Sequence, residues 1–378
     1  MKAVIAAYAR SPFHFAKKGA LAQVRPDTLA AQVVRGLLDR TPIDPALLED
    51  IILGCAYPEG SQGDNVARIV GFLAGLPEHV GGMTVNRFCG SSMTAIHLAA
   101  AQIEAGAGDA FLCVGVESMS MVPQGGLSSS PNPELLERYP DAYMSMGQTA
   151  ENVAQRRNVS RAEQEALALA SHQKATAARE QGRFKREIVP IKLADGSVVD
   201  ADGCIRPATT LAALAGLKPA FRPDGVVTAG TSSPLTDGAS AVIVTSEAFA
   251  KQHKLEALAR IRSFAAVGCD PSEMGMGPVP ATKKALARAG LRIDDIAVVE
   301  INEAFSSQAL ACLRELEIDP GRVNLDGGGL AIGHPLGATG ARITGKAAAL
   351  LVREGARYAL STQCVGGGQG VATILEAL

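Results

Sequence analysis

The chain lacks long apolar runs, a strong net charge and any paired-cysteine spacing, and each absence removes a class of function. No stretch is hydrophobic for long enough to span a membrane, and the apolar part of the opening "MKAVIAAYARSPFHF" is too short for the core of a signal peptide. The closing "LEAL" is not a peroxisomal tripeptide, so the expected compartment is the cytoplasm. A formal net charge of -2 gives no reason to expect nucleic acid as a partner, although a local basic patch for a phosphorylated ligand is invisible in the total. The seven cysteines, at positions 55, 89, 113, 204, 269, 312 and 364, are odd in number and form no CxxC pair or His/Cys ligand spacing. Neither a disulfide framework nor a metal site is expected, and most of these thiols read as small buried hydrophobes.

What is present is a globular composition. The 378 residues, 47% of them hydrophobic, suffice for a large core and two or three compact units. The sequence also repeats itself once. "PALLEDIILGCAYPEG" (Pro45 to Gly60) resembles "LRIDDIAVVEINEAFSS" (Leu291 to Ser307), each an acidic turn entering an apolar β-run. "SSMTAIHLAAAQIEAGAGDAFLCVGVES" (Ser91 to Ser118) parallels "GATGARITGKAAALLVREGARYALSTQCVGGG" (Gly337 to Gly368), each a small-residue helix, a glycine stop and an apolar strand. Helices expected at Asp27 to Leu38 and Pro280 to Ala289 precede both copies, so strand and helix alternate in two similar α/β units. Between them, Met119 to about Leu235 differs in composition, with "PQGGLSSSPNPE", a polar helix over "TAENVAQRRNVSRAEQEALALASHQKATAAREQG" and loops fixed by proline and glycine. This insert reads as a lid or cofactor-binding subdomain. The expected domains are 1–117 with 236–255, an inserted unit 118–235, and 256–378.

Three clusters fall where strands end and helices begin, the place where open α/β units gather reactive groups. Cys89, in "VNRFCGSSMTAIHLAA", stands between a strand and a small-residue helix, where unpaired N–H groups and the helix dipole favour thiolate. Taken alone it is a buried thiol or a nucleophile. His334 is enclosed by glycines in "GGGLAIGHPLGATGAR", whose spacing matches neither dinucleotide nor P-loop patterns, and by the repeat it occupies the place of Cys89 in the second half. His97 reads instead as a satisfied helix-face residue. "TQCVGGGQG" supplies Cys364 at a strand end with glycines that let backbone N–H groups approach a ligand. Asn302, ending the strand of "EINEAF", is either an ordinary cap or part of the same site.

Together with "MGQTAENVA", "TAGTSSPLTDGASA" and "MGMGPVPA", these stretches resemble the thiolases, in their usual order and over essentially the whole chain. The resemblance implies two βαβαβαββ domains in a layered α/β arrangement with a loop domain inserted in the first. It implies CoA thioesters as substrates, CoA as co-substrate and no permanently bound cofactor. By the family's pattern Cys89 is the nucleophile, His334 takes its proton and Cys364 protonates the released carbanion and activates CoA. The Cys89 and Gly366 N–H groups hold one oxyanion, and His334 with a water on Asn302 holds the other. Arg206, Thr210 and Ser233 would bind CoA, while Ser145, Met146, Met274 and Phe305 would line the acyl pocket. Ser145 stands where biosynthetic thiolases usually have histidine, which points to 3-ketoacyl-CoA degradation of medium or longer chains; a biosynthetic acetoacetyl-CoA thiolase is the alternative. A decarboxylating ketoacyl synthase would be expected to carry histidine in place of Cys364, and a non-catalytic lipid or CoA carrier would have lost one of Cys89, His334 and Cys364. A homodimer is favoured over a tetramer because Val122 to Tyr143 is short, and a partner subunit in a β-oxidation complex is compatible with the family.

Overall fold

The computed structural model describes residues 2–378. A ten-stranded sheet runs through both halves. The first half contributes β1 (Ala3–Arg10), β2 (Asp50–Gly54), β3 (Gly81–Val85), β4 (Ala110–Ser118) and β5 (Thr236–Ser246). The second contributes β6 (Ala259–Gly268), β7 (Val298–Ile301), β8 (Tyr358–Val365) and β9 (Gln369–Glu376), and the short strand His14–Phe15 pairs with β5. The order is β7-β8-β9-β6-β1-β5-β4-β2-β3. Reading outward from the centre, each half begins with antiparallel pairs (β1–β5 and β5–β4; β6–β9 and β9–β8) and ends in parallel pairing (β4–β2 and β2–β3; β8–β7). The two copies meet where β1 pairs antiparallel with β6, at Val4 with Arg260 and Ile5 with Ala259. In the second half the equivalent of β3 is reduced to a parallel bridge between Val299 and Val323.

Helices cover the sheet in layers. On the outer face of the first half lie α1 (Pro26–Leu38) and α2 (Val66–Ala74), and helix α1 begins where Pro26, which has no N–H to leave unpaired, occupies the first turn. The expected start at Asp27 is therefore one residue late. Two helices from the repeat, α3 (Ser91–Ala105) and, near the C-terminus, Leu336–Glu354, pack on each other and on the inner faces of both halves. Their small residues permit the approach: a Cβ on Gly340 would lie 2.3 Å from the Met93 amide nitrogen, and one on Gly115 would lie 2.4 Å from the Gly337 carbonyl. The Ala341 amide donates to Ser92 Oγ at 2.8 Å across that contact.

The insert forms helices α4 (Met146–Arg156) and α5 (Arg161–Glu180), a hairpin of Ile191–Lys192 with Val198–Val199, and short turns. The single long polar helix expected from the sequence is broken. Asn158 takes a left-handed φ of 51°, and Ser160 starts a new helix through a capping box with Glu163. Buried charge ties the insert to both halves. Arg10 on β1, fully buried, holds Asp202 with two bonds of 2.7 and 2.8 Å and Glu187 with one of 2.9 Å. Lys346 reaches the same Glu187 at 2.9 Å and Asp326 at 2.7 Å. Removing one partner from such a network strands a buried charge, at a cost of about 3–5 kcal/mol. Further on, α6 (Pro278–Ala289) and α7 (Ser306–Glu315) belong to the second half, where α6 covers the outer face of β6 and β9. The Leu336–Glu354 helix is α8.

His97 crosses between the halves. It projects from α3 to stack on the Phe264 ring of β6 at 4.4 Å and bonds Thr373 Oγ1 of β9 at 2.8 Å. Burial, with Arg87 and Arg288 nearby, pushes its pKa down to about 3. The folded value lies below the ordinary 6.5, so the stability it contributes is present above pH 6.5 and is lost as pH falls from there toward 3, because the unfolded chain takes up the proton first. Urea unfolding at about pH 7.5 and about pH 5.5 should show the parent losing about 1.4 kcal/mol more on acidification than His97→Gln. Equal losses in the two proteins would refute the assignment.

Candidate active site

Between β3 and α3 the chain makes a 3-10 turn, Phe88–Gly90, that carries Cys89. Phe88 takes a left-handed φ of 42°, held by its amide donating to Asn86 Oδ1 at 2.7 Å and its carbonyl accepting from Ser91 Oγ at 2.6 Å. Cys89 is buried, and burial pushes its thiol up to about 12, while hydrogen bonds from the Gly366 N–H and from its own N–H pull in the opposite direction. The thiolate expected from the helix N-terminus is thus not the resting state. Desolvation of a charged sulfur outweighs the dipole here, and the thiol keeps its proton until a base and an electrophile arrive.

His334 lies in the loop that leads into α8. The preceding Gly333 has a φ of 110°, and a Cβ there would come within 2.8 Å of the Thr236 side chain. Thr236 Oγ1 accepts the His334 amide at 3.1 Å. On the ring, Nδ1 meets Thr339 Oγ1 at 2.6 Å, and Thr339 donates its own proton to the Pro335 carbonyl at 3.1 Å. Thr339 must therefore accept from Nδ1–H, which leaves Nε2 as the base nitrogen. The Asn302 amide nitrogen stands 3.2 Å from Nε2. Burial, with Arg342 behind it, lowers the imidazole pKa to about 3, so the ring is neutral.

Cys364 ends β8 and is buried; burial first, and the neighbouring Cys89 next, raise its thiol well above the ordinary range. Gly366 follows, in a turn whose Gly367 and Gly368 both have φ of 73°. Asn302 follows β7, with its amide donating to the Thr362 carbonyl at 3.0 Å and its buried Oδ1 unpartnered. The adjoining Glu303 accepts from Ser171 at 2.7 Å and Asn324 at 2.7 Å, which fixes the Asn302 loop to the insert. Asn302 thus meets the His334 ring and, through its backbone, the strand that carries Cys364; Gln363, beside Cys364, donates to the Cys89 carbonyl, and Cys89 packs with Leu336, two residues after His334. Two neutral thiols, a neutral base and two backbone donors can form and break an acyl–sulfur bond and move protons to and from carbon.

Glu117, at the end of β4, was not singled out from the sequence, yet it ties the loop after β2 to the start of α8, just beyond His334. Its buried carboxylate accepts from the Ala56 amide (2.8 Å), the Tyr57 amide (3.3 Å), Gln62 Nε2 (2.9 Å) and the Gly337 amide in the first turn of α8 (2.9 Å). Thr236, Thr339 and Gln363 were likewise passed over. The only sequence signal for Thr339 was its place in the glycine-rich His334 motif; Glu117 gave none beyond being charged at the end of an apolar strand.

The other expected residues fall on the insert side. Met146, Met274 and Phe305 join Ala150, Val227 and Cys364 in one apolar cluster. Ser145 is not part of it: it is exposed at the start of α4, with its hydroxyl on Gln148 at 3.0 Å. Arg206 is exposed, with its guanidinium 5.5 Å from the Phe15 ring centre. Thr210 caps the short helix Leu211–Ala215 through the Ala213 amide, and Ser233 is half-buried with its amide on the Ala304 carbonyl at 2.9 Å. Among the described residues no group of three His, Cys, Asp or Glu could hold a metal ion, and no helix is long and apolar enough to cross a membrane.

Comparison with known proteins agrees with this geometry. The thiolase N-terminal domain profile matches residues 3–248 and the thiolase C-terminal domain profile matches residues 255–377. A 3-ketoacyl-CoA thiolase of Pseudoalteromonas translucida (strain TAC 125) is 48% identical over 376 residues, covering 97% of this chain and 96% of its own. One from Shewanella denitrificans is 47% identical over 385 residues, covering 99% of each. The crystal structure of human mitochondrial 3-ketoacyl-CoA thiolase superposes with a TM-score of 0.92 at 37% identity, covering 99% of this chain and 98% of that one. With the two thiolase domain profiles matching residues 3–248 and 255–377, and with relatives 48% and 47% identical over nearly the whole chain, the chain belongs to the thiolase family.

Proposed function

We propose that the protein is an acetyl-CoA C-acyltransferase that cleaves 3-ketoacyl-CoA with CoA, giving acetyl-CoA and a shortened acyl-CoA. The observation that carries this reading is a second buried thiol, Cys364, next to the Gln363 that donates to the Cys89 carbonyl, since a hydrolase has no use for the second thiol. Cys89 Sγ attacks the 3-keto carbon as its proton passes to His334 Nε2. Neither group ionises at rest, so proton transfer accompanies bond formation. The Cys89 and Gly366 N–H groups face the resulting oxyanion. The carbon–carbon bond then breaks; the enolate of acetyl-CoA forms opposite His334 and a water held by Asn302, and Cys364 gives it a proton. In the second half-reaction CoA yields its thiol proton to Cys364 and attacks the acyl–Cys89 carbonyl; the shortened thioester leaves, and the expelled Cys89 sulfur takes back the proton held on His334 Nε2, which restores both residues to their starting forms. Arg206, Thr210 and Ser233 hold CoA on the inserted unit, 118–235, while 1–117 with 236–255 carries the nucleophile and 256–378 carries His334 and Cys364.

Degradation of medium or longer chains is the preferred direction and substrate class. Met146, Met274 and Phe305 give Cys364 an apolar, adaptable wall, and each methylene enclosed there contributes about 0.8 kcal/mol. The enzyme works in the cytoplasm, in β-oxidation, as a homodimer. Strand β3 supports the dimer: it is the last strand of the sheet, half-buried throughout, with Phe72 and Leu73 exposed on the neighbouring α2. The Val122 to Tyr143 segment has only the short helix Pro133–Arg138 and one 3-10 turn, no hairpin to join two dimers.

Three outcomes check these assignments. Cys89→Ala should form no acyl-enzyme, whereas Cys364→Ala should still be acylated by an acyl-CoA but fail in turnover; mass spectrometry showing acyl on Cys364 with Cys89 bare would reverse the roles. The kcat/KM for 3-ketooctanoyl-CoA should exceed that for acetoacetyl-CoA, and equal or better use of acetoacetyl-CoA by the parent rejects the pocket reading. Light scattering should return twice the 39.0 kDa chain mass, and a clean tetramer would count against the proposed interface.

A further inference from the structure

The two N–H groups assigned to the oxyanion come from opposite halves of the chain, and the glycine turn that presents one of them has no side chains to set its own orientation. We propose that Arg87, Gln363 and Gln369 are positioning residues that hold the Cys89 and Gly366 amides in register, a role that rests on the thiolase reading above.

Gln369 is the link to the glycine turn. Its Oε1 accepts from Arg87 Nη1 at 3.0 Å and its Nε2 donates to the Gly366 carbonyl at 3.2 Å. Arg87 has only donors, so it dictates which end of the amide faces it and thereby turns Nε2 toward Gly366. Arg87 is itself fixed on the nucleophile side, with Nε on Thr94 Oγ1 at 3.0 Å and its backbone amide on Ser91 Oγ at 2.9 Å. A hydrogen-bonded bridge thus runs from the start of α3 to the turn after β8.

Gln363 makes the second link. It is fully buried, and its Nε2 donates to the carbonyl of Cys89. Alternation along β8 puts it on the opposite face of the strand from Cys364, so it reaches the nucleophile turn from beneath without entering the acyl pocket. Its Oε1 is buried with no partner. A half-satisfied buried amide costs stability relative to an apolar side chain of the same shape, which argues that its retained bond serves something other than the fold. Packing sets the closeness of approach: a Cβ on Gly90 would lie 2.8 Å from a Val365 methyl, and one on Gly366 would lie 3.3 Å from the Phe88 ring. The three polar side chains set its direction.

The test uses the full-length enzyme with Gln369→Met, Gln363→Leu and Arg87→Lys. Because none of the three lines the pocket, kcat for thiolysis should fall on the order of tenfold to a hundredfold in the first two, with KM changed by less than about twofold. Arg87→Lys, which keeps a donor on Gln369, should retain more activity than Arg87→Met. The pH profile of Cys89 alkylation by iodoacetamide, followed by peptide mass spectrometry, should move to higher pH in Gln369→Met, because the thiolate loses part of its Gly366 donor. A packing defect alone would lower thermal stability without that movement. Should Gln363→Leu fail to fold, the half-buried Gln369 carries the test by itself. A Gln369→Met enzyme with kcat within about twofold of the parent, or with an unmoved alkylation profile, overturns the proposal. Inactive Cys89→Ala beside fully active bridge variants would sink the bridge alone, whereas an acyl-enzyme formed by Cys89→Ala would sink the underlying reading.

Discussion

One buried carboxylate ties the nucleophile half of the molecule to the helix that follows His334. Glu117 sits at the end of a strand with no exposed surface, and it accepts from the loop after β2, from Gln62 and from the first turn of α8. The Gly337 amide is one of the unpaired N–H groups at a helix start, so the positive end of α8 faces the carboxylate as well. The bond therefore joins the first half of the molecule to the helix that follows His334. Desolvation alone would favour the neutral acid, and the backbone and side-chain donors oppose it. A charge held this way cannot shift without stranding several donors, which makes the join between the halves rigid.

Rigidity and dryness come from the same packing. Gly115 and Gly340 let α3, α8 and β4 approach closer than any side chain would allow, and that closeness excludes water from both thiols and the imidazole. In water a cysteine near a helix start drifts toward thiolate. Here burial dominates, the sulfurs stay protonated and His334 stays neutral. Such a site is inert until a polarised carbonyl arrives, which suits a thiol that must react with a thioester substrate and survive the resting state.

The fold was largely legible in the sequence because the repeat is written in features that survive without contacts. The acidic turns before Ile51 and Val298, the small-residue helices after Gly90 and Gly337, and the glycine stops at Gly106 and Gly355 are local signals, and both glycines take the left-handed conformation expected of a helix stop. The break at Asn158 was missed because a polar helix with few apolar landmarks reads through a single left-handed residue. Cys89, His334 and Cys364 stood out for the same local reason, each at a strand end or helix start beside glycine. Ser145 shows the limit: its match to the position where biosynthetic thiolases usually have histidine suggested a pocket wall, and only the direction of the α4 N-terminus turns its hydroxyl to the surface and to Gln148.

By itself, then, the sequence determined the order of strands and helices and their duplication, and it marked Cys89, His334 and Cys364 as candidates, all of which depend on neighbours a few residues away. The tertiary structure alone decided the protonation of the thiols, the tautomer of His334 through Thr339, the brace at Glu117 and the bridge from Arg87 through Gln369 to Gly366. Those properties arise from desolvation and from hydrogen bonds between residues far apart in the chain. No periodicity or spacing records which distant donor a buried acceptor will meet, because that is fixed only when the two halves close on each other.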